Sequence, residues 1–333
     1  MKKMLTNRPT NPAAEEILGG YFPVLDHGFV SLVDYMGTDE DVERAARVSY
    51  GYGTRKTSQT RGLIRYLRRH YHTTPSEMVE LKFHCAMPMF VARQWIRHRT
   101  ASVNEYSGRY SLMPLLFYKP ESEHFSLQSA DNAQGRQNDA ASNELYKKAV
   151  KHWEKMRTEV SQGYRWMVEE DVARELARID LPLSTYTQWY WKIDLHNLFH
   201  FLTLRDDPHA QWEIQAFARV MAGMLKRVAP LSYEAWIDYN VCGQVMSRGD
   251  ILALKELVEA GEDGIRARQD AEGVVDREKL QEFGLSVREV RELIAKLEPV
   301  KRPDHDLDLA DMRKAEDVAE ELGAAVPKIL GSS

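Results

Sequence analysis

Between Arg97 and Tyr110 the chain sets Arg97-His98-Arg99, Ser102, Asn104, Glu105, Ser107, Gly108 and Arg109 within fourteen residues. Residues 93–110 carry five Arg or His cations against one acid. Surface arginines usually have acidic neighbours, so this surplus calls for an anion from outside the segment. Ser107-Gly108-Arg109 offers a hydroxyl, an unshielded backbone N–H and a guanidinium in succession, a geometry suited to an oxyanion such as phosphate. A simpler account makes Arg97 to Arg99 complements of a helix dipole and the remainder a solvated loop. The cation surplus weighs against it. Further along, Glu175 and Arg178 are three apart and share a helix face, which a helical ion pair would explain at a few tenths of a kcal/mol, ~0.3. Asp194, Asn197 and His200 fall at i, i+3 and i+6, and Arg205 opens Arg-Asp-Asp-Pro-His-Ala-Gln at the end of the same helix. His72, beside a turn, reads by itself as a cap or surface group.

These residues need elements to hold them. Pro88 to Ile96 reads as a helix with Pro near N1, so the Arg-His-Arg run falls at or just past its C-terminus. Strands are expected over His27–Asp34, Leu81–Ala86 and Tyr186–Ile193. Helices are expected over Asp39–Arg47, Thr60–His70 and Leu195–Leu204, with another ending near Lys226. Arg65, Arg68 and Arg69 read as the solvated face of the helix at 60–70, and Thr74-Pro75 as a helix start. Apolar residues from Ala140 to Val172 recur at three to four, predicting one long helix over 139–178. The polar link 118–142 carries no clear element. Beyond Val245 short helices are expected at Ile251–Glu259, Ser286–Leu297 and Asp308–Leu322, a tail to which no chemistry is assigned. The expected division is residues 1–245 and a helical extension, 246–333.

Composition sets bounds. The 333 residues are 43% hydrophobic and 29% charged, a globular balance, with no run long enough to span a membrane. A formal net charge of −5 argues against a nucleic-acid binder, the positive charge being local. Two widely separated cysteines, Cys85 and Cys242, exclude a cysteine-rich metal module and fit a reducing, cytoplasmic compartment. The basic N-terminus has no apolar run behind it and does not read as a secretory signal. No metal site is expected.

Arg97-His-Arg, seven residues and then Ser107, inside Phe90 to Tyr110 with Ala92-Arg-Gln-Trp and Ser107-Gly-Arg-Tyr, resembles the motif of the flavin-dependent thymidylate synthases. The resemblance covers residues 12–240. It implies an α+β fold, a mixed β-sheet flanked by helices, here with a helical C-terminal extension. The implied reaction is reductive methylation of dUMP to dTMP, with 5,10-methylenetetrahydrofolate as carbon donor and NADPH as reductant through bound FAD, and with no enzyme nucleophile. Gln94, Arg97, Glu105, Ser107, Gly108, Arg109 and Arg178 match positions around the nucleotide. Arg205 matches the arginine facing the uracil carbonyl, where two parallel donors polarise the ring. With Ser107 as a phosphate or base ligand, it is the residue expected to carry the chemistry. Ser49, His72, Arg97, His98, Arg99, Asp194 and His200 match flavin-contacting positions, and Tyr110 is expected on the same wall. The chain departs from the family pattern at Asp194-Leu-His196, where Asn-Ala-Arg is common, and at His200, where Asn is common. A homotetramer with sites between subunits is also implied.

Three other readings compete. A different flavoenzyme acting on a phosphorylated substrate would share the cationic pocket. A non-enzymatic nucleotide or RNA binder would use the arginine cluster alone, and a structural helical protein would leave Arg97, Arg109 and Arg205 dispersed.

Overall fold

A computed structural model of the chain describes residues 9–48, 60–130, 135–259 and 287–322. Its elements run α1 (Pro12–Glu15), β1 (Tyr21–Val24), β2 (Gly28–Met36), α2 (Asp39–Arg47), α3 (Thr60–Arg69), α4 (Thr74–Glu77), β3 (Glu80–Pro88), α5 (Met89–Trp95) and β4 (Ser102–Glu105). They continue with β5 (Ser126–Gln128), β6 (Arg136–Ala140), α6 (Asn143–Glu169), α7 (Arg174–Ala177), β7 (Tyr186–Asp194), α8 (Leu195–Arg205), α9 (Trp212–Val228) and α10 (Pro230–Trp236). After these come α11 (Arg248–Glu259), α12 (Val287–Leu297) and α13 (Ala315–Leu322).

The α+β expectation holds, but the sheet expected to be mixed is antiparallel: five strands of order β1-β2-β3-β7-β4 pair antiparallel throughout, and the one parallel bridge, Leu18–Leu32, lies outside them among the described residues. β3 and β7 are its centre, in register from Glu80–Asp194 to Pro88–Tyr186. Ile214, Phe217, Ala218, Met221 and Leu225 of α9 are fully buried, as their spacing predicts.

One aromatic cluster positions the chemistry. Trp95, at the end of α5, stacks on Phe201 of α8 at 5.0 Å and meets Trp189 and Trp191 of β7 edge-on at 5.4 and 5.3 Å. Edge-to-face and offset contacts of this kind are each worth about 0.5–1.5 kcal/mol beyond area burial. Trp95 precedes Arg97 by two residues and Phe201 precedes Arg205 by four, so the cluster clamps the two candidate arginine segments to one strand.

Several expectations are corrected. The helix expected over 139–178 stops at Glu169, and Asp171 takes the left-handed conformation at φ +59° before α7 restarts the chain. Asp is among the few non-glycine residues that visit this region readily. The polar link holds a hairpin, β5–β6, tied down by an Arg136–Glu213 ion pair at 2.6 Å. Arg68 is not on a solvated face. Its guanidinium lies 4.3 Å over the Phe199 ring, and burial lowers its pKa to about 10. The helix expected over 308–322 is broken into a 3₁₀ turn, Leu309–Asp311, and α13.

The chain divides into two compact units, residues 1–234 with 305–333, and residues 235–304. In the second, α11 and α12 are joined by Lys296 and the buried Asp250 at 2.7 Å, a bond that holds the Asp250 carboxyl below its usual range. In the first, the segment from His305 onward returns to the sheet. Arg313 bridges Tyr21 of β1, and Val318 packs with Tyr21, Phe29 and Ala86.

Candidate active site

The residues that could do chemistry fall into three groups. The first joins the end of α5 to the end of α8. Arg205 Nε donates to His98 Nε2 at 2.9 Å, so His98 carries its proton on Nδ1. Phe201 meets the His98 ring edge-on at 5.0 Å and His200 lies 5.7 Å from it. Burial, then the charge of Arg205, then His200, lowers the His98 pKa to about 4. His98 is therefore neutral at pH 7 and remains an acceptor. Because Nε alone makes this bond, the two terminal nitrogens of Arg205 have no partner among the described residues and suit a planar ligand. Gln94 donates across to Gln211 beside this group.

A folded pKa below the unfolded value of about 6.5 means that only the unfolded chain takes up this proton between about pH 6.5 and pH 4. The His98 contribution to stability is thus complete above pH 6.5 and lost as pH falls toward 4. Side-chain NMR of His98 should show a neutral ring at pH 5.5; a charged ring at that pH would contradict the Arg205–His98 bond.

The second group is a turn braced against α6 and α7. Ser107 Oγ accepts from the Arg109 N–H at 3.3 Å, and the Ser107 carbonyl accepts from Tyr110 and Ser111. Among the described residues the Gly108 N–H donates to no protein acceptor. A Cβ on Gly108 would stand 2.6 Å from Met113 Sδ and 3.1 Å from Arg178 Cδ, so glycine is what admits Arg178 to the turn. Met113 cannot swing away freely, being buried against Tyr164 and Ala177 with its N–H donated to Tyr164 Oη at 3.0 Å. Glu175 pairs with Arg109 at 2.9 Å rather than with Arg178. Arg174, which the sequence reading did not single out, donates to the Tyr110 carbonyl at 2.5 Å. The neighbouring β4 is a strand rather than a loop, and its Glu105 accepts from Thr187 of β7 at 2.8 Å.

The third group lines a cavity of about 830 Å³ between α2, α3 and α4, with Asp41, Arg44, Tyr66, His72 and Thr73 in its wall. The exposed His72 ring lies parallel to Tyr66 at 5.9 Å. Tyr66 went unnoticed in the sequence, although an exposed aromatic on an arginine-rich helix face was a usable signal. Ser49 lies outside the described residues.

One candidate is placed differently from a simple ligand. Asp194 is the N-cap of α8, its oxygens accepting from the Asn197 N–H at 2.9 Å and the Asn197 side chain at 2.7 Å. The carboxylate at this departure from the family pattern is engaged by the helix that carries His200. Asp194→Ala should cost about 1 kcal/mol of stability, as loss of an N-cap does, while Asp194→Asn should cost little; thermal unfolding distinguishes them, and equal losses would mean that the charge rather than the cap matters. Arg97 and Arg99 are exposed, and among the described residues neither is paired with a carboxylate. No hydrogen bond or ion pair joins Arg205 to the Ser107–Arg109 turn among the described residues.

The chain was compared with known proteins. A family model described as thymidylate synthase complementing protein matches residues 31–231. The flavin-dependent thymidylate synthase of Ehrlichia ruminantium (strain Gardel) is 48% identical over 294 residues, covering 88% of this chain and 94% of the relative. That of Rickettsia bellii (strain RML369-C) is 46% identical over 287 residues, covering 82% and 96%. Among solved structures, a UMP/dUMP methylase, PolB, from Streptomyces cacaoi bound with 5-Br UMP is similar with a TM-score of 0.58 and 31% identity, over 66% of this chain and 98% of that one.

Proposed function

Because this chain belongs to the flavin-dependent thymidylate synthase family, we propose that it takes FAD as its flavin, 5,10-methylenetetrahydrofolate as carbon donor and NADPH as reductant. Its activity is that of a flavin-dependent thymidylate synthase, a methyltransferase that makes dTMP from dUMP. The observation that carries the residue assignment is the Arg205–His98 bond, which presents an arginine fork at the end of α8 whose terminal nitrogens have no partner among the described residues.

The residues present fit an FAD. Arg97 and Arg99 lack carboxylate partners among the described residues and suit a pyrophosphate, and His72 and Tyr66 offer flat faces at a cavity large enough for a ring system. A bound flavin supplies hydride chemistry that no side chain here can. His98 and His200, whose rings lie 5.7 Å apart, are assigned to the flavin from their sequence match, and Asp194 contributes by fixing α8. Ser49 is assigned to the flavin from its sequence match alone.

For dUMP, Ser107, the free Gly108 N–H, Arg109 and Arg178 form the phosphate cradle, with Arg109 exchanging Glu175 for the phosphate. Gln94, Arg97 and Glu105 border the base and sugar. Arg205 donates to the uracil carbonyl and stabilises negative charge that develops as C5 becomes nucleophilic. No enzyme nucleophile is needed. Cys85 is fully buried with its thiol pKa raised by that burial, and among the described residues Ser107 has no histidine to take its proton. No helix among the described residues is long and apolar enough to cross a membrane. A cytoplasmic homotetramer, with sites completed between subunits and no nucleic-acid partner, fits a site spread over three groups.

The test is anaerobic incubation with dUMP, methylenetetrahydrofolate and NADPH, following flavin absorbance and dTMP, with UMP as comparator substrate. Flavin reduction with dTMP formed is the expected result. A protein that cannot be reconstituted with FAD, or that cycles flavin without dTMP, overturns the reading.

A further inference from the structure

Beyond the residues that the family model matches, one side chain reaches the candidate site's framework. His305, only 3% exposed, enters from the segment that returns to the first unit. Its Nε2 meets Asp206 Oδ2 at 2.6 Å and its Nδ1 meets Tyr233 Oη at 2.7 Å. Asp206 immediately follows Arg205 and caps α8, its N–H donated to the Leu202 carbonyl at 2.9 Å. Its other oxygen, Oδ1, accepts from Arg219 Nε at 3.0 Å, and Arg219 itself lies over the Trp212 ring and donates to Gln215 at 2.8 Å. Both carboxylate oxygens of Asp206 are therefore tied, one of them to the returning segment.

The seat for His305 is built into α9. A Cβ on Gly223 would fall 2.5 Å from the His305 carbonyl oxygen and 2.8 Å from the Leu307 side chain, so the backbone at 305–307 lies against a helix face left bare for it. Lys226, one turn further on, pairs with Asp306 at 2.5 Å. The tail of the sequence, to which no chemistry was assigned, thus supplies a buried polar group to the end of the helix that bears Arg205.

We propose that His305 is a positioning residue for Arg205: through Asp206 it fixes the backbone at the end of α8, while His98 fixes the side chain. Arg205 is then held at two points, and its terminal nitrogens are aimed before substrate arrives. Small misplacement of such a group carries large rate costs, about 10²-fold for 1 Å. The inference rests on the reading that Arg205 acts on the uracil ring.

A mutant cycle on the FAD-loaded full chain tests it, with turnover measured as tritium released from [5-³H]dUMP, and with flavin content determined for each variant. His305→Phe keeps the volume and removes both bonds; it should lower turnover about tenfold with Arg205 intact. In the Arg205→Lys background the same change should alter the residual turnover less than about twofold, because coupled residues are non-additive. His305→Gln, which restores a nitrogen near the Nε2 position, should recover much of the loss. If His305→Phe does not fold, Gly223→Val, which lifts the segment without touching the polar groups, should show the same coupling to Arg205. Equal losses in both backgrounds, or undiminished turnover of His305→Phe, would overturn the proposal. Full turnover of Arg205→Lys alone would instead overturn the reading of Arg205.

Discussion

Replacing Arg205 by alanine should lower dTMP formation about 10²- to 10³-fold, the cost of deleting one preorganised donor from a site of developing negative charge. The protein should still bind FAD and still accept electrons from NADPH, because Arg205 does not line the cavity beside His72 and the His98 ring keeps its edge-on packing on Phe201 without it. The alanine variant also leaves His98 without the guanidinium that helps to lower its pKa, so its ring should titrate closer to the usual histidine value. Single-turnover assays with prereduced flavin check the first expectation and histidine NMR the second. An alanine variant with wild-type single-turnover rate would remove Arg205 from the chemistry.

The second large effect is expected at Gly108. Alanine there puts a methyl group 2.6 Å from Met113 Sδ and 3.1 Å from Arg178 Cδ, and Met113 is held by its packing and by Tyr164. The turn must open or Arg178 must withdraw, and either removes charge-assisted bonds of about 1.5–3 kcal/mol from a phosphate. The dUMP dissociation constant should rise about 10- to 100-fold, with the affinity for deoxyuridine, which lacks the phosphate, little changed. Equilibrium dialysis with the two ligands settles it. Loss of both affinities alike would mean that the turn shapes the whole pocket.

Much of this was legible in the sequence, for a physical reason that differs from place to place. The central strands and α8 announced themselves by alternation, bulky side chains and three- to four-residue spacing, although β3 is buried on both faces from Phe83 onward. The cation surplus of residues 93–110 pointed to the cradle, since local charge balance is readable without coordinates. What could not be read was who pairs with whom across the chain. Glu175 faces Arg109 and not its helical neighbour Arg178, because the long helix ends at Glu169 and turns at Asp171. Asp194 stood out as a departure from the family pattern because the sequence showed its charge and not its place at the start of α8. His305, an isolated histidine in a charged tail, had no signal of its own; only the bare face at Gly223 shows where it lands.

The Tyr233–His305 bond has a consequence for how the chain tolerates change. Residues 235–304 leave the first unit one residue beyond one partner of that bond and re-enter it at the other. The stretch between them is in effect a loop whose ends the host has already brought together. Lengthening such a loop is inexpensive, about 0.6 kcal/mol for each doubling, and insertions succeed where the ends are fixed by the surrounding fold. Beyond Ala235 and Trp236, which are fully buried at the end of α10, the stretch can therefore change in length without altering the register of the sheet. The two residues at the junction have no such freedom.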